Sequence, residues 1–140
     1  MTSASSVPVR QFPAVRQYMT LAPHTIGCDR SIAEAHELMR THHIRHLPVL
    51  DSGRVVGVVS ERDLTLVSSL PGVDAGKVAV EEAMVEDVFV VDPDAPIAEV
   101  VETMIQKKVG SALVGAGDRI VGVFTTIDAL LALHELLERP

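Results

Sequence analysis

The chain has 140 residues, of which 47% are hydrophobic and 22% charged, and its formal net charge is −7. This composition is typical of a globular protein with one compact domain, or with two half-domains that share a core. The acidic balance disfavours a nucleic acid partner, which needs a basic face, and an aromatic content of 3% leaves few side chains for base stacking.

The single cysteine, Cys28, permits no intrachain disulfide and favours a reducing compartment. Its simplest interpretation is a small buried hydrophobic residue. The amino terminus lacks the basic start and long apolar run of a signal peptide. No apolar segment approaches the roughly 20 residues of a membrane span. We therefore expect a cytoplasmic protein without a membrane partner.

The amino-terminal part is predicted to hold a tail and two short elements. Residues 1–12 are polar and rich in serine, which indicates a flexible tail. Pro13 suits the first turn of a short helix that reaches Met19. Thr25 and Ile26 then suggest a short strand.

The next predicted element is an amphipathic helix, followed by a strand hairpin and a second helix. Ser31 and Glu34 have the form of a capping box at a helix start. Residues 44–64 read as two apolar strands joined by a turn at 51–53, with residues 60–63 opening a helix. The predicted apolar face of the first helix consists of Ile32, Ala35, His36 and Met39.

This organisation is repeated 65 residues later. Residues 15–64 and 80–129 align without a gap and are identical at 14 of 50 positions, which indicates an internal duplication. Each copy is predicted as strand–helix–strand–strand–helix, so the fold class is α/β. The predicted bounds are 13–69 for the first repeat, 70–78 for a connector rich in turn formers, and 79–140 for the second repeat.

The last predicted helix, from Asp128 to about Leu137, has an apolar band wider than one core contact requires. Burial on two sides would explain that width and hints at a subunit interface. The alternative is a helix that packs only into its own core.

A motif that can carry chemistry occurs once in each repeat: glycine, two apolar residues, a hydroxyl residue, two variable residues and aspartate. The strand is expected to end at Ser60 or Thr125, where a helix begins and its unpaired amides suit a phosphate. Asp63 or Asp128, one turn into the helix, could accept hydrogen bonds from two ribose hydroxyls. The glycine lets another backbone or a ligand approach closely. Helix capping without any ligand is the alternative, and the two roles are compatible.

Together these motifs resemble a tandem pair of CBS motifs, the cystathionine-β-synthase repeat that forms a Bateman module. The resemblance is carried by residues 44–49, 56–64 and 121–128, and it extends over about residues 13–137. It implies a small stand-alone regulatory module, not an enzyme, whose two repeats pack through their small sheets around a pseudo-two-fold axis. It also implies a homodimer and an unidentified protein partner.

The resemblance further implies a regulatory ligand in the clefts between the repeats, namely an adenine nucleotide (AMP, ADP or ATP) or S-adenosylmethionine, and no catalytic cofactor. Asp63 and Asp128 would hold ribose hydroxyls, and Ser60 and Thr125 would lie beside ribose or phosphate. Arg45 matches a position that often holds a phosphate-contacting basic residue. The expected ligand-contacting residues are Thr25, Ile26, Arg45, His46, Ser60, Asp63, Val91, Gly110, Thr125 and Asp128.

The second repeat departs from the first, because Gly110 stands at the position of Arg45. A phosphate there would need a cation from elsewhere, namely Lys107, Lys108 or a residue of the other repeat. We therefore expect unequal sites, with an uncharged adenosine-like ligand or no ligand as alternatives for the weaker one.

Three other functions compete with a ligand sensor. A cluster of histidines invites a metal site, but core packing and a solvated helix end explain them, and we expect no metal. Independent catalysis is not expected, because nothing orients a nucleophile and a base. The remaining alternative is a dimeric interaction or scaffold module with empty or vestigial clefts. The histidines concerned are His36, His42, His43 and His46.

Overall fold

A computed structural model describes residues 13–21, 24–116 and 119–139, so the predicted tail at 1–12 lies outside the described residues. The described residues confirm the α/β fold class, with the predicted order strand–helix–strand–strand–helix occurring twice. In chain order the strands and α-helices are β1 (Thr20–Leu21), β2 (Ile26–Gly27), α1 (Ile32–His42), β3 (His46–Asp51), β4 (Arg54–Ser60), α2 (Glu61–Ser68), β5 (Val90–Val91), α3 (Ile97–Lys107), β6 (Ser111–Ala116), β7 (Arg119–Thr125) and α4 (Thr126–Glu138). None of these helices combines the length and the apolar character that a membrane crossing requires.

The chain divides into two compact units that are assembled differently from the sequence repeats. One comprises Ala22–Val88 and is termed the Asp63 unit; the other comprises Met1–Leu21 and Phe89–Pro140 and is termed the Asp128 unit. Residues 13–21 therefore belong with the second repeat, and residues 79–88, at the beginning of the predicted second repeat, belong with the first. The predicted repeat bounds, 13–69 and 79–140, describe the duplication in the sequence and stay a prediction.

The Asp63 unit is built on a three-stranded sheet in the order β2-β3-β4, with β2 parallel to β3 and β3 antiparallel to β4. The hairpin between β3 and β4 turns at Ser52 and Gly53, whose φ angles of 54° and 82° fit the tight two-residue turn of a twisted hairpin. Val58 and Val85 exchange two backbone hydrogen bonds of 2.8 and 3.1 Å at the other edge of β4. The core consists of Ile26, Ile32, Ala35, Met39, Leu47, Val49, Val59, Leu64, Val80 and Ala83.

The Asp128 unit is built on a four-stranded sheet in the order β1-β7-β6-β5. The predicted helix that reaches Met19 is a single 3₁₀ turn, Val15–Gln17, because the chain then enters β1 and pairs with β7. The amide of Val15 donates to the carbonyl of Ala95 at 2.8 Å, which fixes this turn to the second repeat. The core consists of Val15, Ile97, Val100, Met104, Ala112, Val114, Phe124 and Ala132.

The motif glycines accommodate a neighbouring backbone segment within each unit. A Cβ atom on Gly57 would lie 2.7 Å from the sulfur of Met84 and 2.8 Å from the carbonyl oxygen of Val85. A Cβ atom on Gly122 would lie 2.6 Å from a methionine sulfur and 3.0 Å from the carbonyl oxygen of Thr20. Of the two sequence interpretations of these glycines, the close approach of a backbone is therefore the one that is observed.

The predicted capping box at the start of α1 is only half formed. The Ser31 hydroxyl accepts a hydrogen bond from the amide of Glu34 at 3.1 Å. The carboxylate of Glu34 instead pairs with Arg30 at 3.0 Å, because the cation lies one turn away on the same side. Of the predicted apolar face, three residues are buried and His36 is half-buried; the buried ones are Ile32, Ala35 and Met39.

Candidate functional site

The first candidate site residues lie at the start of α2, where the ladder of β4 ends. The hydroxyl of Ser60 accepts a hydrogen bond from the amide of Asp63 at 3.0 Å, and Oδ2 of Asp63 accepts one from the amide of Ser60 at 3.0 Å. This reciprocal pair is a capping box, so the capping interpretation is observed. Asp63 is half-buried, and its Oδ1 accepts no hydrogen bond from the residues that the structure describes.

Arg45 and His46 lie at the same helix start. His46 stands opposite Ser60 in the β3–β4 ladder, and the carbonyl of Arg45 accepts a hydrogen bond from the amide of Glu61 at 2.9 Å. The side chain of Arg45 is 82% exposed, and its Nε lies 3.9 Å from Oε1 of Glu61. An exposed pair at this separation is worth little, so the guanidinium remains able to contact an anion.

Thr25 and Ile26 have different surroundings, although they are neighbours. Ile26 begins β2, pairs with Val49 and is only 5% exposed within the core of the Asp63 unit. Thr25 is exposed. Because the Ile26 side chain is used in the core, its backbone is the part that remains for contact with a ligand.

The start of α4 holds the corresponding residues of the Asp128 unit. Oδ2 of Asp128 accepts hydrogen bonds from the amide of Thr125 at 2.9 Å and from its hydroxyl at 3.1 Å, and the amide of Asp128 donates to that hydroxyl at 3.3 Å. The hydroxyl of Thr20 on β1 also donates to Oδ1 of Asp128, at 3.2 Å. Asp128 is 6% exposed, so this carboxylate is both buried and occupied by donors of its own unit.

Gly110 takes the structural place of Arg45, as the alignment of the repeats predicts. Its carbonyl accepts hydrogen bonds from the amide of Thr126 at 3.1 Å and from the hydroxyl of Thr126 at 3.3 Å. Gly110 brings no charge to this helix start. Val91 lies in β5, half-buried and opposite Val114.

The structure thus brings Arg45, His46, Ser60 and Asp63 together at one helix start, and their ligand-binding roles stay predictions. Sequence reasoning missed Thr20, which reaches Asp128 from 108 residues away. The signal that could have found it is the alignment of the repeats, in which the hydroxyl residue at position 20 is aligned with a valine at position 85.

Three observations on the described residues concern the histidines, the carboxylates and the cysteine. No group of three or more histidine, cysteine, aspartate or glutamate side chains there is arranged to hold a metal ion. The rings of His24 and His42 stack with their centroids 3.7 Å apart. Burial, together with a hydrogen bond to Glu81, raises the pKa of the Cys28 thiol, which disfavours the reactive thiolate.

Comparison with known proteins gives a consistent result over most of the chain. The family model for the CBS domain matches residues 15–69 and 80–135. The chain is 27% identical over 121 residues to hypoxic response protein 1 of Mycobacterium tuberculosis, covering 86% of this chain and 85% of that protein. Its structure is similar to AcuB of Vibrio cholerae, with 34% identity, a TM-score of 0.67 and coverage of 91% of this chain and 94% of that one.

A further similar structure was solved with ligands. It is the CBS domain pair of protein MJ0100 in complex with 5′-methylthioadenosine and S-adenosyl-L-methionine. The two chains are 26% identical with a TM-score of 0.70, and the match covers 86% of this chain and 98% of that one.

Proposed function

Because this chain belongs to the CBS-domain family, we propose that it is a regulatory module that binds an adenosine-containing ligand and passes the binding state to a protein partner. The candidate ligands are AMP, ADP, ATP and S-adenosylmethionine. The ligands bound to the CBS domain pair of MJ0100 support the adenosyl class. Binding would act by favouring one conformation over another, without any chemical change of the ligand.

The half-open carboxylate of Asp63 is the observation that carries this proposal. One oxygen closes the capping box, while Oδ1 accepts no hydrogen bond from the described part of the chain. An ionised carboxylate has about four lone-pair positions, so capping leaves room for a pair of ribose hydroxyls. The cap would hold the carboxylate in place before the ligand arrives, which lowers the entropic cost of binding.

Arg45 supports a phosphate-bearing ligand in the Asp63 unit. Its exposed guanidinium lies beside the first turn of α2, where the helix dipole also favours an anion. On a chain with a net charge of −7, phosphate binding has to rest on such a local cation and should weaken with added salt. S-adenosylmethionine has no phosphate, so its binding should not depend on Arg45.

The exposed face of α4 supports the homodimer that we also propose. Large apolar side chains on one helix, about half or more exposed in a single chain, indicate a surface that another protein covers. A second copy of this chain would cover it symmetrically. The exposed residues are Ile127, Leu130, Leu131, Leu133, Leu136 and Leu137.

A dimeric scaffold that binds no ligand is the second candidate function. The capping boxes at Ser60 and Thr125 favour it, because both are complete with protein groups alone. A scaffold would keep the dimer but show no ligand-dependent stabilisation.

A thermal-shift panel of the four candidate ligands distinguishes the two functions. A ligand that binds only the folded state stabilises it by RT ln(1 + [L]/Kd), about 2.7 kcal/mol at 100 times Kd. Wild type should be stabilised by at least one ligand, and Asp63→Asn, which keeps an oxygen for the cap, should lose at least about tenfold in affinity. Arg45→Ala should weaken the binding of AMP, ADP and ATP but not the binding of S-adenosylmethionine.

Glu102→Ala removes an exposed carboxylate on α3 and is the matched control for charge. It should bind as wild type does. A dimer that no ligand in the panel stabilises would overturn the sensor and favour the scaffold. Equal stabilisation of wild type and Asp63→Asn would remove the ribose role of Asp63.

A further inference from the structure

The hydroxyl of Thr20 is held against the carboxylate of Asp128 by the pairing of β1 with β7. Thr20 stands opposite Val123 and donates to Oδ1 of Asp128 at 3.2 Å and to Oδ2 at 3.4 Å. The amide and hydroxyl of Thr125 occupy Oδ2 as well. Both oxygens of this buried carboxylate therefore receive donors from the protein.

Val85 holds the corresponding position in the Asp63 unit. It lies 65 residues after Thr20 and pairs with Val58, just as Thr20 pairs with Val123. The backbone arrangement is thus the same in the two units. Valine has no hydroxyl, and only the amide of Ser60 donates to Asp63 among the described residues.

The number of free lone pairs decides what each carboxylate can still accept. Of about four positions on a carboxylate, Asp63 keeps about three, whereas Asp128 keeps about one. Two vicinal hydroxyls need at least two. We infer that Thr20 is a specificity-determining residue, whose hydroxyl closes Asp128 to ribose and so restricts the adenosyl ligand to the Asp63 unit; this inference rests on the proposed function.

Two reciprocal substitutions test this inference. Thr20→Val removes the hydroxyl while keeping the shape of a β-branched strand residue, and Val85→Thr introduces the hydroxyl beside Asp63. Thr20→Val and Thr20→Ser are made in an Asp63→Asn background, where Asp128 is the remaining ribose carboxylate. Binding of AMP and of S-adenosylmethionine is measured by isothermal titration calorimetry, and urea unfolding verifies that each variant is folded.

The reciprocal pair should move affinity in opposite directions. In the Asp63→Asn background, Thr20→Val should bind at least about tenfold more tightly than the background alone, and Thr20→Ser should not, because serine keeps the hydroxyl. Val85→Thr in the otherwise native chain should weaken binding about tenfold.

The outcomes separate this inference from the proposed function. Wild-type binding together with no effect of either reciprocal substitution would overturn the role of Thr20 and leave the sensor intact. If the Asp63→Asn, Thr20→Val double variant bound a ligand and wild type did not, the result would support the role of Thr20 and overturn the sensor function of the native chain. Absence of binding to every protein would overturn both.

Discussion

The Asp63 unit and the Asp128 unit fill equivalent cores in opposite ways. In the Asp63 unit, Leu47 on β3 stands opposite Val59 on β4, whereas in the Asp128 unit Ala112 stands opposite Phe124. All four side chains are at most 1% exposed. The larger residue has therefore changed strands between the repeats while the strand pairing has stayed the same. Strand pairing and total core volume therefore define both hairpins, β3–β4 and β6–β7, and the particular set of side chains does not.

The two helix starts differ in a way that bears on ligand binding. Asp63 is half-buried and its Oδ1 accepts no hydrogen bond from the described residues, whereas Asp128 is 6% exposed and is bonded through both oxygens. Duplication thus produced one carboxylate that still has acceptor capacity and one whose capacity is used within the protein. The same motif in the sequence has two different chemical capacities in the structure.

The largest expected effect concerns the opposite cores. Phe124→Ala should lower the free energy of unfolding by about 3–5 kcal/mol, because neither Ala112 nor its neighbours can fill the space of the ring. Val59→Ala should cost less, because fewer buried atoms are removed. Urea unfolding with a two-state check measures both. Equal losses would contradict the idea that Phe124 replaces volume held by Leu47 in the other unit.

The next effect concerns the carboxylates. Asp128→Ala should cost about 2–3 kcal/mol of unfolding free energy, because it leaves the buried amide and hydroxyl of Thr125 without an acceptor and also removes the hydrogen bond from Thr20. Asp63→Ala should cost about 1 kcal/mol, the usual value of one capping interaction. Chemical unfolding at neutral pH gives both values, and a larger loss for Asp63→Ala would reverse this ranking.

The motif glycines give a third comparison. Gly57→Ala should cost about 1–3 kcal/mol, because its Cβ would lie 2.8 Å from the backbone oxygen of Val85, which can move only if the backbone bonded to Val58 moves with it. A movable methionine sulfur is the nearest atom at both glycines, but the backbone oxygen lies farther from the Cβ at Gly122, at 3.0 Å, so Gly122→Ala should cost less.

Gly76→Ala is the control for these glycine variants. A Cβ there meets nothing closer than 3.4 Å, so its effect should stay within about 0.5 kcal/mol. The steric explanation would fail if Gly57→Ala behaved as this control does.

Much of the fold could be predicted from the sequence because the signals involved are local. The hydroxyl–aspartate spacing predicted that each hairpin ends at Ser60 or Thr125 and that a helix starts there, and both boundaries are confirmed. Apolar spacing likewise predicted the buried face of α1. The fixed offset of the repeats carried each of these predictions over to the second copy.

Long-range choices could not be predicted in the same way. β1 has only two residues, and nothing in so short a strand says that it pairs with β7, about a hundred residues later. The hydrogen bond from Thr20 to Asp128 depends on that pairing, so local spacing gives no sign of it. Glu34 shows that some short-range contacts are also hard to predict. Its carboxylate could bond the amide of Ser31 or the guanidinium of Arg30, and it pairs with Arg30.

The smallest expected effect concerns a contact that only the Asp128 unit has. The hydroxyl of Tyr18 donates to Oε1 of Glu135 on α4 at 2.5 Å, whereas the homologous residue of the Asp63 unit is Ala83. This hydrogen bond to a carboxylate raises the pKa of Tyr18 above its usual value of about 10. Folding therefore favours the protonated phenol, so the contribution to stability is present below about pH 10 and is lost as pH rises through the pKa of the folded protein.

Tyr18 is the only tyrosine and the chain has no tryptophan, so the ultraviolet absorbance of the phenolate reports this one group. Its titration midpoint should be higher in the folded protein than in urea, and Glu135→Ala should lower it towards the unfolded value. Glu138→Ala, which removes a carboxylate near the end of the same helix, should leave the midpoint in place. If the midpoint were the same in folded and unfolded protein, Tyr18 would not be bonded to α4.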